Sequence, residues 1–292
     1  MKDGLILIDK PEGITSFVAV AVVRRALGVK RCGHTGTLDP MATGLLPVLT
    51  GNATKLSSFL LEGDKCYEAT LTFGENTDSY DSTGQVTESG GRIPEREEIE
   101  SILPQFVGKQ MQIPPMFSAL KRDGVALYKL ARQGKSVDLP PREIEIYSLK
   151  LMEYNDGEAR LAVHCSKGTY IRSLCKDIAK ALGTYGCMSA LRRTATCGFS
   201  IENAVALDKA EQKLKNGETD ILLPVQQALS LKEYRPPAFF ARLLLNGCAV
   251  DIKKLKGCPT EMCWVYDEQT LLGIGHAQAD GTFKIVTHLS RG

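Results

Sequence analysis

Residues 33–40 read Gly-His-Thr-Gly-Thr-Leu-Asp-Pro and present one carboxylate, Asp39, between a leucine and a proline. Pro40 has no amide hydrogen and biases the preceding backbone toward extended conformations, while Gly33 and Gly36 permit turns closed to other residues. A carboxylate held in one orientation can act as a nucleophile or a general base. A second carboxylate, Asp81, would complete a pair of the kind a glycosidase uses at an anomeric carbon. The single tryptophan, Trp264, lies far away in the tail, so no array of sugar-binding aromatics accompanies that pair. Taken alone, the Asp-Pro step also suits an Asx-type turn between a helix and a strand.

Several elements must position this loop. Residues 5–8 read as a buried strand, Pro11-Glu12-Gly13 as a turn, and Thr15 or Ser16 as the cap of a helix ending at Gly28, after which the Asp39 loop follows. A short helix is expected at 53–61. Residues 67–73 alternate as a strand does, with Tyr67 at its start and a polar loop at 75–84. Pro94 with Glu95, Glu97 and Glu98 marks a helix N-terminus, which Gly108 closes. Residues 114–121 read alone as a proline-rich connector; resemblance to a family segment implies a loop there, before a helix near 127–132. Paired strands are expected at 144–153 and 159–165. Apolar residues at helical spacing over 171–182, between Gly168 and Gly183, place Arg172 in the first turn of a helix. A strand through Ala190, a helix near 207–214 and a surface turn at 215–218 complete the first part. After Arg235-Pro236-Pro237 come a short helix at 239–246 and strands at 263–266, 271–277 and 283–287. The expected organisation is a mixed α/β domain over 1–228 and a small β-rich module over 229–292.

The length of 292 residues suits one large and one small core. With 43% hydrophobic and 24% charged residues, and no apolar run near the roughly 20 needed to span a bilayer, an integral membrane protein is excluded. The N-terminal residues show no signal-peptide pattern, and a cytoplasmic location is expected. Nine cysteines without a CxxC pair argue for reduced, mostly buried thiols. Cys258 and Cys263 have no neighbouring Cys or His cluster, and the four histidines lie far apart, so no metal is expected. A net charge of +2 does not by itself announce a nucleic-acid partner. Arg24-Arg25, Lys30-Arg31, Arg192-Arg193 and Lys253-Lys254 with Lys256 could each meet phosphates or simply be solvated surface.

The octapeptide, with Lys10-Pro11 before it and Ala42-Thr43-Gly44 after it, resembles the tRNA pseudouridine synthase B family, the uridine-55 enzymes. The resemblance continues in order through Asp64-Lys65-Cys66-Tyr67, Thr77-Asp78-Ser79-Tyr80-Asp81, Lys167-Gly168-Thr169-Tyr170-Ile171-Arg172 and Leu191-Arg192-Arg193-Thr194. It implies the pseudouridine synthase fold, a central mixed, largely antiparallel sheet flanked by helices. More weakly, it implies a PUA-like RNA-binding tail. The implied reaction turns a T-loop uridine of tRNA into pseudouridine with no net redox change and no cofactor.

By this resemblance Asp39 matches the essential catalytic aspartate, Arg172 its partner arginine, and Tyr67 the tyrosine whose ring can lie on the uracil. His34 matches the histidine that supports the loop once the base is flipped. Lys10, Lys55, Asp81, Tyr170 and Leu191 map onto pocket-region motifs. The implied partner is tRNA, gripped at the T arm with the tail reaching toward the acceptor stem, and a monomer is expected. Ser79 stands where threonine is common, and Cys187-Met188 also departs from the family pattern. A module that remodels tRNA without chemistry is the rival reading, and an Asp39→Asn replacement separates the two.

Overall fold

In the computed structural model, residues 2–118, 120–122, 124–131, 133–135 and 137–290 are described. The apolar run at 5–8 is buried on both faces, and this organises the molecule. Ile6 and Ile8 of strand Gly4–Lys10 point into one hydrophobic cluster, and Leu5 and Leu7 into another. Side chains alternate along a strand, so a continuous apolar run requires cover on both sides.

That strand belongs to a ten-stranded sheet. Its main path runs Val205–Ala206, Gly4–Lys10, Thr43–Thr50, Gly186–Thr196, Lys65–Phe73, Glu158–Cys165, Arg142–Asn155, Gly108–Gln112. Cys32–His34 pairs with Thr43–Thr50, and Phe199–Ser200 with Gly186–Thr196. Two pairings are parallel, Gly4–Lys10 with Val205–Ala206 and Thr43–Thr50 with Gly186–Thr196, and the others are antiparallel. The sheet is therefore mixed and largely antiparallel, as expected.

Helices Ser16–Leu27, Arg96–Ile102, Ile171–Ala181 and Leu207–Lys215 bury their apolar stripes in the first cluster. The Ser16–Leu27 helix begins where Thr15 Oγ1 accepts from the Val18 amide at 3.2 Å, and it ends at Gly28 in the left-handed conformation.

The other cluster joins the large sheet to the tail. Leu45, Leu49, Leu56 and Leu60 pack there with Trp264, Tyr266, Ile274 and Leu289. The tail is a five-stranded sheet ordered Lys232–Tyr234, Cys263–Asp267, Thr270–Ala277, Thr282–His288, Val250–Asp251. Helix Ala238–Leu245 and the inner face of this sheet form a third core around Phe283 and Val265.

Two local expectations are corrected, and a third is met as far as the residues are described. The helix after Pro94 is capped by Glu95 and runs Arg96–Ile102, then tightens into the 3₁₀ turn Leu103–Phe106. Pro104 cannot donate the helical hydrogen bond. Gly108 instead opens the edge strand Gly108–Gln112, which its mostly polar residues concealed. Residues 53–61 divide into a 3₁₀ turn, Gly51–Leu56, and the short helix Ser57–Leu61. The helix near 127–132 is described as Leu127–Ala131; Ala119 and Arg132 of the expected loop and helix lie outside the described residues.

All nine cysteines are free, with four buried, four half-buried and Cys248 exposed. Among the described residues no helix is long and apolar enough to cross a membrane.

Candidate active site

The Asp39 loop is pinned from four directions. Ser16, the first residue of its helix, accepts from the Leu38 amide at 2.8 Å and donates to the Leu38 carbonyl at 3.0 Å. Pro40 accepts through its carbonyl from the Gly13 amide at 2.9 Å and from Lys10 Nζ at 3.3 Å. The Thr35 amide donates to the Pro47 carbonyl at 3.2 Å, and Arg193 Nη2 donates to the Gly36 carbonyl at 3.1 Å. Gly36 has φ 125°, the conformation expected of it, whereas Gly33 lies in the extended strand Cys32–His34.

Asp39 meets Arg172 there, with Arg172 Nε 3.0 Å from Asp39 Oδ2, and its side chain stays 34% exposed. Arg172 is buried, and its Nη1 also lies 3.4 Å from Asp81 Oδ2. The guanidinium further donates to the Ser79 carbonyl at 3.1 Å and the Phe117 carbonyl at 2.9 Å. One planar cation thus ties the Asp39 loop, the Asp81 turn and the 117 segment to helix Ile171–Ala181. Gln112 steadies the helix start, accepting from the Tyr170 amide at 2.8 Å and donating to the Tyr170 carbonyl at 3.1 Å.

Asp81 Oδ1 accepts from Ser79 Oγ at 2.8 Å, Thr83 Oγ1 at 2.6 Å and the Thr83 amide at 3.1 Å. The Ser79 departure therefore keeps the hydroxyl the turn uses. Met188 contributes backbone only to this turn, donating to the Tyr80 carbonyl at 3.1 Å and accepting from the Ser82 amide at 2.9 Å.

Burial pushes the Asp39 carboxyl above its ordinary value; Arg172 and Lys10 pull it back, and Asp81 adds to the push. Lys10 is fully buried, and its ammonium donates to the carbonyls of Pro11 and Ile14, each at 2.7 Å. Desolvation lowers its pKa to about 8 against the pull of Asp39 and Glu12.

Tyr67 sits in the middle of the sheet, paired with Arg193 on one side and Val163 on the other. Burial raises its hydroxyl pKa, while the positive charge of Arg193 opposes the rise. Tyr170 is half-buried beside Arg172 and Asp39. Leu191 is buried opposite Ala69, on an open cleft of about 300 Å³ shared with Met41, Thr43 and Arg192. The half-buried His34 accepts at Nδ1 from the Gly36 amide at 3.3 Å, and burial followed by Arg193 lowers its pKa, which keeps the ring neutral at pH 7.

Asp39, Arg172, Asp81, Tyr67, Tyr170, Lys10 and His34 are thus brought together, with Leu191 on the neighbouring cleft. Lys55 is not. It follows the far end of strand Thr43–Thr50 from Asp39, and its ammonium donates to the His288 carbonyl of the tail at 2.6 Å. Its place in the pocket is a correction, because an eight-residue strand separates the two ends.

The Arg192-Arg193 doublet also divides. Arg192 reaches outward to Asp9 with contacts of 2.8 and 3.1 Å, while Arg193 is 1% exposed and points under the loop. Arg193 was concealed in the sequence as a surface doublet; its place in an alternating strand beside Leu191 was the available signal. Among the described residues no cluster of His, Cys, Asp and Glu is placed to hold a metal.

The comparisons with known proteins bear on this geometry. A model of the TruB family pseudouridylate synthase N-terminal domain matches residues 24–171, and one of the tRNA pseudouridylate synthase B C-terminal domain matches 172–230. The chain belongs to the TruB family. Its relatives include tRNA pseudouridine synthase B of Clostridium tetani, 41% identical over 97% of this chain and 98% of that protein. The Dechloromonas aromatica protein of the same name is 47% identical over 78% of this chain and 76% of its own length.

The junction of the two family models falls within the first turn of helix Ile171–Ala181, so it marks no structural boundary, and both stop before the five-stranded sheet. The fold matches a chain of the Cbf5-Nop10-Gar1 complex with TM-score 0.74 at 23% identity, covering 99% of this chain and 85% of that one. A chain of the archaeal box H/ACA sRNP Nop10-Cbf5 complex gives TM-score 0.73 at 22% identity, covering 99% and 86%.

Proposed function

We propose that this chain isomerises uridine-55 in the T loop of tRNA to pseudouridine. The observation that carries the reading is the partly exposed Asp39 carboxylate, held by buried Arg172 at 3.0 Å among the residues of a TruB-family site. The reaction breaks the ribose C1′ to uracil N1 bond, turns the base and joins C1′ to C5. It needs a group able to act as nucleophile or base near the sugar and uracil, and Asp39 supplies it. Arg172 keeps that carboxylate charged and aimed in a site whose burial favours protonation.

Tyr67 lies under the flipped uracil with its hydroxyl placed to take a proton. His34, neutral and able to stack, fills the space the base leaves. Asp81 holds Arg172, Lys10 holds the loop backbone, and Tyr170 and Leu191 line the pocket. None of these steps calls for a redox group or an energy source.

The domain reading is 1–228 for catalysis and 229–292 for a PUA-like module directed to the acceptor stem, a division supported by the separate core around Phe283. Basic residues Lys253, Lys254 and Lys256 are exposed on that module. The T arm is the primary contact, since unstacked loop nucleotides suit recognition by stacking and shape. The chain is taken to act as a monomer, and free thiols suit the reducing cytoplasm.

The test is tritium release from an unmodified tRNA transcript labelled at uracil C5, with the native chain and Asp39→Asn and no added cofactor. Release by the native chain alone, mapped to the T-loop uridine, is expected. A folded native chain that binds the tRNA and releases nothing would overturn the reading in favour of a remodeller without chemistry.

A further inference from the structure

We infer that Tyr80 is a positioning residue whose ring, clasped by the Lys176 ammonium, sets the turn that holds Arg172 against Asp39. This rests on the role proposed above for Asp39. Arg172 Nη1 donates to the Ser79 carbonyl at 3.1 Å and lies 3.4 Å from Asp81 Oδ2. The residue before Tyr80 and the residue after it therefore meet the same guanidinium.

Such a turn needs an unusual backbone. Tyr80 has φ 63°, in the left-handed region, where a bulky side chain is strained. The bonds around it hold it there. Its amide donates to the Thr77 carbonyl at 3.2 Å, and its carbonyl accepts from the Met188 amide at 3.1 Å. Thr77 Oγ1 donates to the Asp81 carbonyl at 2.6 Å, and the Ser82 amide donates to the Met188 carbonyl at 2.9 Å. Glycine takes this conformation without strain, so a tyrosine here is explained by what its side chain does.

That side chain meets a second cation of the helix that carries Arg172. Lys176 Nζ lies 3.8 Å from the centre of the Tyr80 ring, and both residues are half-buried. Lys176 follows Arg172 by four residues in helix Ile171–Ala181, so the two cations stand on one face, a turn apart. Arg172 takes the carbonyl and carboxylate of the Asp81 turn, while Lys176 takes the face of the Tyr80 ring, which attracts a cation. A turn fastened only at Arg172 could pivot about it. The Lys176 contact fixes the angle at which Ser79 and Asp81 present their oxygens, and with it the direction in which Arg172 Nε meets Asp39 Oδ2 at 3.0 Å.

The test compares Tyr80→Leu, Tyr80→Gly, Tyr80→Phe, Lys176→Met, Lys176→Arg and the double variant Tyr80→Leu/Lys176→Met. Single-turnover rate is read by tritium release, affinity by tRNA filter binding and stability by the urea midpoint. Tyr80→Leu and Lys176→Met are each expected to lose at least about threefold in rate, with tRNA affinity within about twofold. Tyr80→Phe and Lys176→Arg keep a ring and a cation, and are expected to stay within about twofold of the native rate. The double variant is expected to lose no more than the larger single loss, since both changes remove one contact. Tyr80→Gly separates position from stability. It relieves the left-handed backbone, so its urea midpoint should lie above that of Tyr80→Leu while its rate is as low.

Native rates in folded Tyr80→Leu and Lys176→Met, losses that add in the double variant, or rates that follow the urea midpoint across the set would overturn the inference. If Tyr80→Leu does not fold, Lys176→Met decides: a lowered rate restored in Lys176→Arg supports it, and a native rate refutes it. Absence of release by the native chain would instead refute the reaction assigned to Asp39.

Discussion

Ser16 Oγ makes two hydrogen bonds with the backbone of Leu38, accepting from its amide and donating to its carbonyl. The first residue of a helix thereby holds the residue next to Asp39, and both partners are buried. Replacing Ser16 by Ala leaves a buried amide and carbonyl unpaired, at a cost of about 1–3 kcal/mol. Urea unfolding should report that loss. Tritium release should fall in kcat more than in KM, because the loop loses alignment rather than RNA contact.

Arg172→Met removes the cation shared by Asp39 and Asp81. The rate should fall at least about a hundredfold, the scale of losing one preorganised electrostatic partner. The sign of the pH effect follows from the causes acting on Asp39. Burial already raises its pKa and Arg172 lowers it, so without Arg172 the carboxylate protonates at higher pH. The acid limb of the pH–rate profile, which reports loss of charged Asp39 as pH falls, should move to higher pH. An unmoved limb would show that the limb belongs to another group.

Lys10 loses its charge as pH rises through about 8. Its positive charge holds Asp39 ionised and its donors hold three loop carbonyls. The native chain should therefore show an alkaline decline centred near that pH. In Lys10→Met the rate should be lower throughout and this decline absent, as read by tritium release between pH 6 and 10 on the scale where buried lysines titrate.

Gly44→Ala should be among the most damaging single changes. Gly44 has φ 101°, and the new Cβ would meet the Arg193 carbonyl oxygen at 2.3 Å and its amide nitrogen at 2.8 Å. Backbone cannot move aside cheaply, so a loss of about 3 kcal/mol or more is expected in urea unfolding. A native-like midpoint would mean the parallel pairing of the two strands is looser than described.

Trp264→Ala removes the largest fully buried side chain, which packs the tail against Leu5, Leu45 and Leu49. The expected cost is about 3–5 kcal/mol. Because the separate core around Phe283 is untouched, thermal unfolding should change from one transition to two.

Much of this protein was legible in its sequence because the signals were local. The Thr15 cap and Gly28 stop, the alternation after Tyr67, the helical spacing after Tyr170 and the restricted Asp39-Pro40 step each depend on neighbours a few residues away. The motif residues Asp39, Tyr67, Asp81 and Arg172 came with them, since their order along the chain needs no three-dimensional knowledge.

Other features depended on which strand lies beside which. Arg192 and Arg193 are adjacent in sequence, yet the sheet sends one outward to Asp9 and the other beneath the catalytic loop, because neighbouring side chains leave a strand on opposite faces. Lys55 shares a motif neighbourhood with the loop but is carried to the tail by the length of an intervening strand. The sequence by itself marked most of the helices and several of the strands, and its family resemblance picked out the reactive groups. The tertiary structure alone decided that Arg172 would join two carboxylates from separate loops and that Trp264 would lock the tail to the large sheet, since both are contacts between segments whose meeting no local preference encodes.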